Sequence, residues 1–122
     1  MNAMLNSVDL SPHQELAFPF LQSAVQIDQA RQNPDDRDAL MAVLENNALL
    51  WTHIKTYFSG HFDEIPSEYR EFLVRMSDFM MRSAIVLNRS MDLDLMDKLV
   101  ALNLNMCEQI LSAQKNGTAA HA

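Results

Sequence analysis

The stretch from Asp38 to Phe58, DALMAVLENNALLWTHIKTYF, decides the fold. No glycine or proline interrupts it. Leu40, Val43 or Leu44, Asn47, Trp51, Ile54 and Phe58 recur at steps of three and four, which is one face of an α-helix. Upstream, Asn33 reads as an N-cap, Pro34 as the first helical residue, and Asp35 and Asp36 as charges at the positive end of the helix dipole. Gly60 reads as the stop. The spacing therefore predicts a helix of about 26 residues and roughly 39 Å over 34–59. One position breaks the apolar pattern: Asn47 lies a helical turn before the chain's only tryptophan, Trp51. An amide on a buried seam fixes helix register, because it must find hydrogen-bond partners once removed from water. A site for a partner is the other reading of the same pair. Asn47 is expected to face inward, and Trp51 stands open between the core and a partner.

Outward from this helix, Ser11-Pro12-His13-Gln14 has the composition of a capping box and begins a first helix. Leu16, Phe20, Ala24 and Ile27 line its face, and Pro19 is expected to kink or split it. After a loop, GHFDEIP, a third helix runs from about Ser67 to Asn88. Phe72, Leu73, Met76, Phe79 and Met80 give it a broad apolar face. Arg75, Arg82 and Arg89 follow at seven-residue spacing, with Glu71 and Asp78 placed for weak i,i+4 ion pairs. A fourth helix starts near Asp92 and runs to about Lys115, with Leu95, Leu99, Leu102, Met106 and Ile110 on one face and a second amide, Asn103, among them. If the second and fourth helices are neighbours, Asn47 and Asn103 can pair with each other or with backbone. Residues 1–10 are expected as a flexible arm, 11–116 as one helical domain, and 117–122, past Gly117, as a flexible tail. The fold class is all-α, an up-and-down bundle of about four helices.

Composition narrows the function. The chain has 122 residues, a formal charge of −7 and one cysteine, Cys107. Its acidity repels phosphate, so neither direct nucleic-acid contact nor an anionic membrane surface is expected. No apolar run is long enough to span a bilayer, and the start of the chain lacks a signal-peptide pattern, so a cytoplasmic location is expected. No Glu-x-x-His motif and no glycine-rich phosphate loop occur, and the four histidines are scattered. His61 with Asp63 or Glu64 could gather a metal, but a solvated loop explains them. Cys107 reads as a small buried hydrophobe. No catalytic residue, metal or cofactor is expected. The three arginines could meet an acidic partner or RNA, and their acidic neighbours favour a solvated face. Met76, Met80 and Met81 with Phe72 and Phe79 form a flexible apolar face, wider than one neighbouring helix covers, of the kind that grips other helices.

Three segments resemble one family. LMAVLENNALLWT, residues 40–52, is similar to the central motif of the FlaF family of flagellar biosynthesis proteins, in which an Asn stands four positions before a Trp preceded by Leu. IPSEYREFLVRMSDFMMR and LVALNLNMCEQIL resemble two further family segments in the right order, together covering about residues 11 to 111. Asn47, Leu50, Trp51, Pro66 and Asn103 carry the likeness. Departures are His13-Gln14 after Ser11-Pro12, Tyr69 before Arg70, Gln109 near the end, and Pro19. The resemblance implies a small cytoplasmic protein needed for flagellin production, a flagellin-binding chaperone working opposite the FlbT regulator. Expected partner contacts are Leu50, Trp51, Met76, Phe79 and Met80, with Asn47 and Asn103 organising the seam. Monomer and dimer stay open, as does direct contact with FlbT. The alternative is a helical adaptor or homodimeric regulator acting through other proteins.

Overall fold

Ser11 starts the first helix by a reciprocal cap. Its Oγ accepts from the Gln14 backbone N–H at 3.1 Å, and its own N–H donates to Gln14 Oε1 at 2.9 Å. A computed structural model of the chain describes residues 10–59 and 67–121, and within them lie four helices and no strand. They are α1 (Pro12–Gln32), α2 (Arg37–Ser59), α3 (Ser67–Arg89) and α4 (Leu93–His121). The all-α bundle is as expected. Most of the N-terminal arm, Gly60 and the loop with His61, Asp63, Glu64 and Pro66 lie outside the described residues.

Pro19 does not split α1, which is one element of 21 residues. The lost N–H deprives only the carbonyl of Glu15, an exposed residue that water can serve, while the face bearing Ala17, Phe20, Ala24 and Ile27 stays buried.

The second helix begins three residues later than expected. Asn33 closes α1 instead of opening α2, and its carbonyl accepts from Asp36 N–H in a tight turn. Asp36 then caps α2, its Oδ1 accepting from Ala39 N–H at 3.2 Å. Asp92 does the same for α4, accepting from Leu95 N–H at 3.1 Å. At the far end α4 continues through Gly117 to His121, beyond the stop expected there. A glycine inside a helix costs only about 1 kcal/mol relative to alanine, which the Ala-rich residues after it can tolerate.

α1 packs against α4 and α2, and α2 against α3. The fourth side is different: the α3 and α4 backbones approach least closely, and long side chains bridge them. Two arginines tie the end of the bundle where α1 and α3 stop. Arg31 pairs with Asp28 and with Asp97 of α4, and Arg37 donates to the final carbonyls of α3, Leu87 O at 3.4 Å and Asn88 O. A cation at a helix C-terminus also meets the negative end of its dipole. The expected Glu71–Arg75 and Asp78–Arg82 ion pairs are absent; Arg82 Nε donates to the Asp78 carbonyl, not its carboxylate.

Candidate functional site

At the centre, the apolar core closes around a polar cluster fed by all four helices. Trp51 is 1% exposed and stacks edge-on against Phe20 of α1, with ring centroids 5.1 Å apart at 75°. Asn47 and Asn103 are 1% and 0% exposed. Indole nitrogen can only donate, so the partner it meets at 3.0 Å must be Asn103 Oδ1. That fixes the orientation of Asn103, whose Nδ2 then donates to Asn47 Oδ1 and to the Leu99 carbonyl, both at 2.9 Å. Asn47 Oδ1 takes a second donor, Ser23 Oγ of α1, at 3.0 Å, and Asn47 Nδ2 points to Met80 Sδ of α3 at 3.2 Å. No buried side-chain atom of this cluster lacks a partner. The pairing of the two amides expected from sequence is present, and it extends to Trp51, Ser23 and Met80.

This burial corrects part of the expected partner surface. Trp51 and Met80 sit in the core at 1% exposure, because the indole N–H and the thioether each answer an amide there. Leu50 is half-buried on the α1/α2 side, where it lines a shallow depression with Pro19, Gln22 and Asn46. Met76 and Phe79 are half-buried on α3. The five residues therefore do not form one surface. The methionine face divides: Met80 points in, Met81 points out, and Met76 lies on the flank.

The flank holding Met76 and Phe79 is the more informative surface. Tyr69, Phe72, Met76 and Phe79 follow three-four-three spacing along α3 and turn toward α4. Tyr69 reaches Met106 Sδ at 3.8 Å and its ring packs on Phe72, centroids 5.9 Å apart. Burial raises the Tyr69 phenol above its ordinary pKa. Leu95 and Leu102 of α4 complete the strip, also half-buried against the core. Lys98 of α4 lies over the Phe79 ring, 5.4 Å from its centroid.

Sequence reasoning missed Ser23 of α1 and Lys98 of α4. A serine three residues after Phe20 and next to Ala24 on an otherwise apolar face was the available signal for Ser23. Cys107 is buried and free. Burial raises its pKa, the charge of Glu108 adds to this, and a backbone contact at Leu21 works against it. Among the described residues no cluster of His, Cys, Asp and Glu is able to hold a metal, and no helix is long and apolar enough to cross a membrane.

A family model described as flagellar protein FlaF matches residues 8–109. Comparison with curated proteins and with solved structures returns no match.

Proposed function

The chain belongs to the FlaF family of flagellar proteins, and from that premise we propose that it is a non-enzymatic cytoplasmic protein that binds flagellin, keeps it unpolymerised and supports its synthesis and export. The observation that carries this reading is the half-buried strip of Phe72, Met76 and Phe79 on α3 with Leu95 and Leu102 on α4. It lies on the side where the backbones approach least, so long flexible side chains cover the core there. Such side chains can repack under an amphipathic helix at little cost. The buried amide cluster supports the surface from beneath by holding the helices in register. An FlbT-type regulator is a further partner in this reading.

Calorimetric titration with the cognate flagellin tests it. Binding is expected, and a Met76→Ala, Phe79→Ala double substitution should weaken it by about tenfold or more, as for central apolar contacts. No heat of binding at tens of micromolar protein would sink the proposal.

The alternative, a helical adaptor or homodimer, draws on another surface. Leu21 and Val25 of α1 and Leu104 of α4 are exposed large apolar residues, and Leu21 lies beside Cys107 of α4. Light scattering over a range of concentrations separates the two. A dimer broken by Leu21→Asp but indifferent to changes at Phe79 would favour the adaptor.

A further inference from the structure

The α3 sequence contains a second pattern laid on the first. Phe72, Arg75, Phe79, Arg82, Val86 and Arg89 fall at alternating steps of three and four, a single stripe in which apolar and cationic residues take turns. Arg75, Arg82 and Arg89 are exposed, and none makes an ion pair among the described residues. Lys98 adds a fourth cation from α4, over the ring that separates Arg75 from Arg82. Successive arginine Cα positions are about 10.5 Å apart along the helix axis.

This local charge opposes that of the molecule. α3 has four arginines and three carboxylates, whereas the remainder of the chain has five cations and thirteen carboxylates. Unpaired cations cost little in water, but three at one heptad position beside an apolar strip reproduce one half of a coiled-coil interface. In such an interface, charges flanking the apolar seam choose the partner and its orientation.

We propose that the α3/α4 side is a docking surface for an acidic amphipathic helix, one carrying apolar residues on one face and carboxylates at seven-residue spacing beside it. The apolar face covers Phe72, Met76 and Phe79, and the carboxylates meet Arg75, Arg82 and Arg89. A helix suits the surface better than RNA. The stripe is narrow, Glu71 and Asp78 border it, and the acidic remainder repels an extended polyanion. The inference deepens the flagellin reading and rests on it for the location of the surface, but it specifies a chemistry which that reading does not.

The test is fluorescence anisotropy of the full chain with three labelled probes. One is a synthetic helical peptide with leucines in heptad register and glutamates at seven-residue spacing. The second replaces those glutamates by lysines, and the third is a single-stranded RNA of the same charge as the first. The acidic peptide should bind at least about tenfold more tightly than the lysine peptide, and more weakly as salt is raised. Arg75→Glu, Arg82→Glu and Arg89→Glu together should invert that preference, with circular dichroism confirming the fold. The milder triple change to glutamine should abolish it. Acidic-peptide binding indifferent to both triple variants, or preference for the RNA, would overturn the inference. Flagellin binding that survives the charge reversals would overturn it while sparing the proposed function. A chain that binds the acidic peptide as described but not flagellin would do the reverse.

Discussion

Trp51 offers one hydrogen-bond donor and no acceptor, and the orientation of the whole buried cluster follows from it. Its N–H selects Asn103 Oδ1, Asn103 Nδ2 selects Asn47 Oδ1, and Asn47 is left to gather Ser23 and Met80. Each group is buried, so a missing partner cannot be replaced by water without opening the core. Asn47→Ala should therefore cost about 2–4 kcal/mol in urea unfolding, since it strands two donors and leaves a small cavity. Trp51→Phe keeps a ring against Phe20 but strands an acceptor and should cost about 1–2 kcal/mol, well below the ~3–5 kcal/mol expected for Trp51→Ala. Equal costs for the two tryptophan substitutions would show that the ring contributes nothing. A double-mutant cycle between Asn47 and Asn103 should give a coupling of at least about 1 kcal/mol. Cys107 is placed by burial in the same core, and its raised pKa lowers the thiolate fraction at neutral pH. Its reaction with an aromatic disulfide reagent near pH 7.5 should be at least about tenfold slower in the native protein than in denaturant.

At the scale of the elements, local chemistry decides where helices begin more than how they run. The capping box of Ser11 and Gln14 forms as its composition requires, and Ser11→Ala should lower stability by about 1 kcal/mol. Asn33 read as the N-cap of α2, and it is instead the C-cap of α1. Asn33-Pro34-Asp35-Asp36 offers two acceptors three residues apart, and the tight turn between α1 and α2 gives the cap to Asp36. Pro19 lies well inside α1 because the buried face of that helix outweighs one missing backbone bond. Restoring the N–H by Pro19→Ala should raise the thermal midpoint, by about 1–3 kcal/mol in stability. A fall instead would mean that the proline ring packs more favourably than its half-burial indicates. On α3, i,i+4 spacing allowed Glu71–Arg75 and Asp78–Arg82 pairs, but exposed ion pairs gain too little to hold two long side chains in place. Arg75, Arg82 and Arg89 accordingly form no ion pair among the described residues.

For the whole molecule, the consequential fact is that the four sides of the bundle differ. Three are closed by near backbone packing, and the α3/α4 side by half-buried aromatic and thioether side chains. Periodicity showed that α3 had more apolar surface than one neighbour could cover, and this led to Met76 and Phe79. It could not tell Met80 from Met81, adjacent residues of one type that point in and out. Nor could it separate Trp51 from Leu50, since the rotation of α2 within the bundle sets which is covered.

The sequence by itself determined the four helices, the cap at Ser11, the apolar face of each helix, the presence of two amides on the seams and the likeness to the FlaF family. These depend on spacing and on side-chain chemistry within a few residues. The tertiary structure alone decided that Asn47 and Asn103 meet, that Trp51 completes their hydrogen bonding, and that Met76, Phe79 and Lys98 share a surface with three arginines. Those facts depend on which helices are neighbours and how each is rotated, quantities set by packing the entire core at once.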